Sequence, residues 1–276
     1  TFEMLNNHNI KMTPKPFAIG IRVQHKQEMI SYNQYGKDYK LLPPASYKLT
    51  YTTKKNRGVY SFCMCPGGYV VNASSEENKL VVNGMSNHQR ESENANSAIV
   101  VTVSPKDYGE NVLDGINFQR KLEKLAYEKG KGSIPVQLYG DFKNNIVSSK
   151  FGLVNPIFKG DTTFSNINEI LPDYICEALK EGIENFDKKI KGFASSDVII
   201  AGVETRTSSP LRIERDENYV SSIEGIYPAG EGAGYSGGIT TSAMDGIKVA
   251  EAVNCVKLWK IINIYLLEKS FLLNWN

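Results

Sequence analysis

The stretch Gly230-Glu-Gly-Ala-Gly-Tyr-Ser-Gly-Gly238 holds five glycines in nine residues and runs directly into Ile239, Ala243, Ile247, Ala250 and Val253, which carry helical spacing. Glycines this dense at the entry to a helix let the backbone approach a ligand closely. The first N–H groups of the helix, here those of Gly238, Ile239 and Thr240, then face that ligand with the positive end of the helix dipole. Upstream, Ser222-Ile-Glu-Gly-Ile-Tyr-Pro-Ala229 predicts a strand despite Pro228. Strand, glycine-rich turn and helix together are the layout of a nucleotide-binding α/β layer. Glu231, at the carboxyl end of that strand, is placed to accept hydrogen bonds from ligand hydroxyls.

Two dinucleotide readings of the turn compete. Gly232-Ala-Gly-Tyr-Ser-Gly237 fits G-x-G-x-x-G, the opening of a Rossmann unit, but that unit needs a second strand ending in an acid about 20 residues on. Here the acid at that distance, Glu251, lies within the helical pattern, and too little chain follows for more sheet. The other reading is the closing motif of a flavoprotein. There the acid holds the ribityl chain, and the helix N-terminus faces the pyrimidine edge of the flavin, where reduction places negative charge.

The rest of the chain predicts a β-rich region followed by helices. Phe17-Ala-Ile-Gly-Ile-Arg-Val23, Gly58-Val-Tyr-Ser-Phe62, Tyr69-Val-Val71, Leu80-Val-Val82 and Ala98-Ile-Val-Val-Thr-Val103 are short runs of β-branched and aromatic residues between Gly, Pro, Asn and Ser clusters. They read as a mostly antiparallel sheet. Asp114 is a candidate cap for a helix carrying Phe118, Leu122, Leu125 and Ala126, ended by Gly130. After Asn168, the residues Leu171, Ile175, Leu179, Ile183, Phe186 and Ile190 form one apolar helical face, with Pro172 at its start and Gly192 beyond its end. This face is core packing. Asp197-Val-Ile-Ile-Ala201 predicts a buried strand. The expected class is mixed, α+β with an α/β portion.

Bulk properties exclude little but are consistent. With 276 residues the chain makes one large or two small domains, and 41% hydrophobic and 22% charged residues belong to an ordinary globular protein. Lys and Arg are dispersed and the net charge is +2, which argues neither for nor against nucleic acid; no nucleic-acid partner is expected for the chain. Thr1-Phe2-Glu3-Met4 shows no basic n-region and apolar run, hence no signal peptide, and a start at Thr suggests a natural start elsewhere. The apolar run Val256-Lys-Leu-Trp-Lys-Ile-Ile-Asn-Ile-Tyr-Leu-Leu267 falls short of the ~20 residues of a spanning helix and reads as a core or docking helix, so no membrane association is expected. Four cysteines, Cys63, Cys65, Cys176 and Cys255, make no disulfide scaffold, which favours a reducing cytoplasm.

At this point a resemblance can be drawn. Tyr227-Pro-Ala-Gly-Glu-Gly-Ala-Gly-Tyr-Ser-Gly-Gly-Ile239, followed by Ser242-Ala and Asp245-Gly, closely resembles a family of bacterial FAD-dependent dehydrogenase-like proteins. Lys15-Pro-Phe17 with Gly20-Ile-Arg22 matches it too, as do Tyr60-Ser-Phe-Cys-Met-Cys-Pro-Gly-Gly68, Asn83-Gly-Met-Ser86, Asn94-Ala-Asn-Ser97 and Gly202-Val-Glu-Thr-Arg-Thr-Ser-Ser-Pro210. The resemblance spans roughly Phe2 to Val253. Gln24-His25 departs from the family's usual Glu-His, and nothing after Asn254 matches. The family's N-terminal glycine-rich FAD-ADP motif would precede Thr1. The resemblance implies a two-part FAD domain interrupted by an insertion: residues 1–16 a remnant of its first part, 17–195 a β-rich inserted substrate domain, 196–254 its second part, and 255–276 an unmatched tail. It implies FAD as cofactor, with Gly230, Glu231, Gly232, Gly234, Gly237, Gly238 and Ile239 on the flavin side, a small-molecule substrate, and an N-terminal FAD-binding half as the partner needed to complete the site.

Other residues carry chemistry of their own. Cys63-Met-Cys65 before Pro66-Gly67-Gly68 admits a redox reading, since a Cys-x-Cys disulfide closes a tight, easily reduced loop; both are otherwise small apolar residues at a strand end. Metal binding there would need two further ligands, and no nearby pair supplies them. Arg206 or Arg212 offers a planar fork for a carboxylate or a reduced flavin, and otherwise belongs to a solvated loop. His25 and His88 read as structural. The chain is thus expected to be the C-terminal portion of an FAD-dependent oxidoreductase. The rival expectation is a non-catalytic binding or structural fragment that holds no flavin.

Overall fold

A computed structural model describes residues 1–255, so the predicted helix Val256–Leu267 lies outside the described residues. The described residues divide into two compact units, one of residues 16–108 and 116–207, the other of residues 1–15, 109–115 and 208–255.

The larger unit is organised by two long strands. Elements in chain order begin with α1 (Phe2–Asn7) and β1 (Met12–Pro14) of the smaller unit, followed by β2 (Phe17–Lys26), α2 (Gln27–Tyr35), β3 (Thr50–Thr52), β4 (Gly58–Cys65), β5 (Gly68–Asn72), β6 (Val82–Ser86) and β7 (Asn94–Val103). Strands β2 and β7 pair antiparallel over ten residues, from Phe17 opposite Val103 to Lys26 opposite Asn94. Then come α3 (Pro105–Tyr108), α4 (Asp114–Lys129), β8 (Ile134–Leu138), α5 (Tyr139–Asn144), β9 (Phe158–Lys159), β10 (Thr162–Phe164), α6 (Asp173–Asp187) and β11 (Ile199–Glu204). A seven-stranded sheet has the order β10-β8-β11-β2-β7-β4-β3, antiparallel throughout except for the β10–β8 pair, and a three-stranded sheet has the order β6-β5-β9. Both sheets are open, and the mixed α+β class expected from the sequence is the class observed.

The period of two along β2 sorts its side chains onto two faces. Ile19, Ile21 and Val23 face one way with Ile99 and Val101 of β7, and α6 lies on them with Ile175, Leu179, Ile183 and Phe186 buried. The contact is close enough that a Cβ at Gly182 would sit 2.5 Å from Val59 Cγ1, so glycine sets the helix-to-sheet distance there. The opposite face carries Ala18, Gly20, Arg22 and Gln24, and the three-stranded sheet packs against it. Nearly every residue of β2 is therefore buried, polar ones included.

Several local expectations are corrected. Leu80 and Val81 precede β6 rather than forming it, because the Leu80 N–H donates to Glu123 O on α4 and Val81 O accepts from Ala73. Asp114 is the first residue of α4, and its carboxylate accepts from the Asn111 N–H at 2.9 Å instead of capping the first turn. Ile190 is buried as expected but lies beyond the end of α6. Residues 222–229 form no strand. Gly225 has φ +87, Pro228 has no N–H to donate, and Ile223 and Ile226 are exposed; an isolated bridge between Arg215 and Ser221 ends just before this run.

His25 ends the apolar face of β2 under a cluster of aromatic rings. Its ring centroid is 4.3 Å from that of Phe193 and its Nε2 lies 2.9 Å from Phe193 O, while Nδ1 has no hydrogen-bond partner among the described residues. Burial pushes its pKa from 6.5 down to about 4, outweighing the pull of the Phe193 carbonyl and Asp187. The unfolded chain takes up this proton near pH 6.5 and the folded one only near 4, so the stability due to neutral His25 is lost as pH falls through that window. At 1.36 kcal/mol per unit this amounts to about 3 kcal/mol. Urea unfolding should show a falling midpoint between pH 6.5 and 4, and His25→Gln should shrink that fall by a comparable amount relative to its own value at pH 7.

Candidate functional site

In the smaller unit the glycine-rich turn rests on a two-stranded ribbon. Strand β1 pairs antiparallel with β12 (Leu211–Ile213), placing Thr13 opposite Arg212. The turn closes on itself, with the Gly234 N–H donating to Glu231 O and the Tyr235 N–H to Gly230 O, and docks by the Ile213 N–H to Ala233 O (3.1 Å) and by Tyr235 Oη to Ile213 O (2.9 Å). Gly234 has φ +87, and a Cβ there would stand 2.5 Å from Leu211 O. Only glycine fits that position.

A salt bridge pins the turn to the helix that follows, α7 (residues 239–255). Asp245, in the second turn of α7, accepts from Arg215 Nη2 at 2.6 Å and Nη1 at 3.0 Å, and its Oδ2 also accepts the Gly230 N–H at 2.8 Å. Arg215 Nη1 donates to Pro228 O as well, and its guanidinium lies 3.6 Å from the Tyr235 ring centroid. Ser236 and Ser242 share a hydrogen bond of 2.6 Å across the same junction. Gly238 O accepts the Ser242 N–H, so Gly238 caps α7, and the N–H groups of residues 239–241 have no carbonyl of their own turn to reach. Ile239 is 92% exposed, and Thr240 and Thr241 are exposed. A Cβ at Gly232 or Gly237 would meet nothing within 4 Å, so space stays open beside the backbone there.

Charge is concentrated beside the turn. Burial raises the Glu231 carboxyl above its ordinary pKa, and the Lys15 ammonium opposes that rise. Lys15 itself is lowered by burial and by repulsion from Arg212, with Glu231 opposing. Lys15, Arg212 and Glu231 therefore sense one another. Glu231 lies within the turn and not at a strand end, since the expected strand before it is absent.

The other sequence candidates belong to the larger unit. Arg206 Nε and Nη2 donate to the buried Glu123 carboxylate at 2.9 and 2.7 Å, and Nη1 and Nη2 to Ser75 and Glu76, so its fork is held by its own unit. Cys63 and Cys65 end β4 on a bulge, where the register with β7 shifts between Phe62 and Cys65. Arg22, fully buried, reaches both. His88 is exposed. Among the described residues no group of three His, Cys, Asp or Glu is arranged to hold a metal ion, and no helix is long and apolar enough to cross a membrane. The Arg215–Asp245 clamp escaped the sequence reading; the Asp245-Gly motif marked one partner, but nothing local marked the other.

A model of the family described as FAD-dependent protein, C-terminal domain-like matches residues 16–207. The chain belongs to this family. The match has the outer bounds of the larger unit and also takes in residues 109–115 of the smaller one. The glycine-rich turn lies past its end. The chain is also 55% identical over 260 residues to an uncharacterized protein of Clostridium beijerinckii, covering 92% of this chain and 49% of that protein. It thus spans about half the length of that relative. Membership of the FAD-dependent protein, C-terminal domain-like family supports a flavoprotein-related role.

The clamp makes a testable claim. Arg215 and Asp245 are only 9% and 13% exposed, so Asp245→Ala leaves a largely buried guanidinium without its carboxylate, a loss of up to about 3 kcal/mol. Hydrogen exchange of the Gly230 amide should speed up in that variant while the amides of β2 and β7 stay protected. Hydrogen bonding from Arg215 holds the Asp245 pKa below 3.8, so in the wild-type protein the contribution is complete above pH 3.8 and is lost only as pH falls below it.

Proposed function

We propose that this chain is the C-terminal portion of an FAD-dependent oxidoreductase and that the turn 230–238 with the start of α7 forms the flavin side of its cofactor site. The reading divides the chain as the resemblance implies, with residues 17–195 a substrate domain inserted between the parts of an FAD domain, a further N-terminal half supplying the nucleotide end, a small-molecule substrate and a cytoplasmic setting.

The observation that carries it is a turn that offers an acceptor near one end and the free N–H donors of a helix start at the other. Gly232 and Gly237 leave open space along the backbone, Glu231 offers an acceptor carboxylate, and the first N–H groups of α7 point out of an exposed helix start. A pyrophosphate in this turn would bring its charge against Glu231, a repulsion of about 4 kcal/mol per unit-charge pair at 4 Å near a protein surface. A polyol beside Glu231 and an electron-rich ring edge at the helix start meet no such penalty. FAD, when bound, supplies hydride or electron transfer at its ring system. Glu231 accepts from ribityl hydroxyls, Gly238, Ile239 and Thr240 offer N–H donors to the pyrimidine edge, and Gly230 and Gly234 hold the turn. Burial pushes the Glu231 carboxyl up and the Lys15 ammonium pulls against it, favouring the ionised form that an anchoring acceptor uses. The exposed Ile239, Met244 and Ile247 suit a helix covered by a further protein layer.

The test uses a full-length protein of about twice this length, with this chain as comparison. The longer protein should purify with flavin absorbance, and this chain alone should bind FAD weakly. Glu231→Gln, which weakens charge-assisted bonds of roughly 1.5–3 kcal/mol each, should lower FAD affinity by on the order of tenfold or more. The pH profile of flavin reduction at saturating FAD should not move. Loss of one limb of that profile with affinity unchanged would assign Glu231 to proton transfer and refute the anchoring role.

A further inference from the structure

We propose that Cys63 and Cys65 form a dithiol site that exchanges with low-molecular-weight disulfides, cycling between two thiols and an intramolecular disulfide. The proposal does not depend on the flavin reading.

The two cysteines sit on a built feature. The bulge that ends β4 turns Cys63 out of the sheet with φ +43, in the left-handed region that a non-glycine residue enters at a cost, and leaves it exposed. Cys65 is half-buried, and its Sγ lies 3.4 Å from Cys63 O, so its side chain folds back over residue 63. A single guanidinium serves both residues: Arg22 Nη1 is 3.1 Å from Cys63 O and 3.8 Å from Cys65 Sγ. Asn96, opposite Cys65 on β7, accepts from Arg22 at 2.7 Å through Oδ1, while its fully buried Nδ2 has no hydrogen-bond partner among the described residues. A Cβ at Gly84 would stand 1.9 Å from Arg22 Nη1, and one at Gly68 would stand 3.1 Å from Asn96 Nδ2. Backbone from two other strands thus closes on these groups and leaves the Asn96 amide donor unused on the residue that pairs with Cys65.

The geometry assigns the roles. Exposed Cys63 is the entry thiol: its thiolate attacks one sulfur of a disulfide RSSR, forms a mixed disulfide and expels RS⁻. Cys65 then loses its proton and attacks Cys63 Sγ, forming the intramolecular disulfide and expelling the second RS⁻. The two thiol protons end on two RSH, so two protein thiols and RSSR give one protein disulfide and two RSH. Run backwards, the same steps reduce the protein disulfide with two low-molecular-weight thiols. Burial raises the Cys65 pKa while Arg22 draws it back, so the guanidinium is the group that stabilises the Cys65 thiolate when it forms.

The experiment uses the chain carrying Cys255→Ser, which removes the other exposed thiol, and treats it with dithionitrobenzoate and, separately, with glutathione disulfide. The parent should release two coloured thiolates per chain, retain no reagent, and yield a tryptic peptide containing Cys63 and Cys65 that is lighter by two hydrogens. Dithiothreitol should restore it. Cys65→Ser and Cys65→Ala should each release one thiolate and keep a stable adduct on Cys63, and Cys63→Ser should react at least about tenfold more slowly. Unchanged urea midpoints would show that the variants are folded. A parent that keeps one adduct on each cysteine, or the same stable Cys63 adduct as the Cys65 variants, overturns the proposal.

Discussion

A buried ion pair at the middle of the larger unit fixes how its strands meet. Arg22 on β2 is fully buried and donates through Nε and Nη2 to Glu204 at the end of β11, through Nη1 to Asn96 on β7 and to Cys63 O on β4, and through Nη2 to Asn83 on β6. One side chain therefore touches four strands besides its own, in both sheets. Such a group is expensive to bury, several kcal/mol per ion, and its partners must be complete for it to persist. Its effect is better described as selection than as stability. A slip of one residue in β2 would carry Arg22 onto the face where Ile19, Ile21 and Val23 meet α6, with no acceptor near it. The same guanidinium then holds the bulge of β4, so the exposed and half-buried positions of Cys63 and Cys65 follow from the pairing of strands distant in sequence.

The two units are held by different physics. The larger one has ten-residue paired strands and an apolar face under α6, with Phe186 and Phe193 fully buried. The smaller one has a three-residue ribbon, few buried apolar side chains and a salt bridge that ties the turn to α7. Few buried contacts and exposed backbone bonds are the marks of low local stability, the kind of segment from which binding loops are drawn. The family match follows the same division, ending at residue 207 where the larger unit ends.

What the sequence made legible depended on whether the deciding interaction was local. The β2 and β7 runs and the α6 face were readable because burial against one layer imposes a period of 2 or 3.6 on the residues themselves. The Ser222–Ala229 run had strand composition but no partner strand, and pairing is not written in a single segment; its Gly225 and Pro228 prevailed. The polar face of β2 was unreadable for the opposite reason. Arg22 and Gln24 alternate with apolar residues as they would on a solvated face, yet a second sheet covers them. Arg206 was visible as a fork in a polar cluster, but the carboxylate that holds it, Glu123, lies on a helix far upstream.

The glycine-rich turn itself separates into parts once each position has its own cause. Gly230 and Gly234 have φ of +71 and +87, and Gly234 is also crowded by Leu211 O, so folding alone accounts for them. Gly232 and Gly237 have neither a left-handed backbone nor a neighbour within 4 Å of where a Cβ would stand. Each forgoes a side chain at an entropic cost on folding that the fold does not require. That stretch of bare backbone, next in sequence to a carboxylate and leading into an exposed helix, is not accounted for by the folding of the turn itself. The turn therefore carries two signals in one composition: one shapes the chain, and the other keeps room beside it.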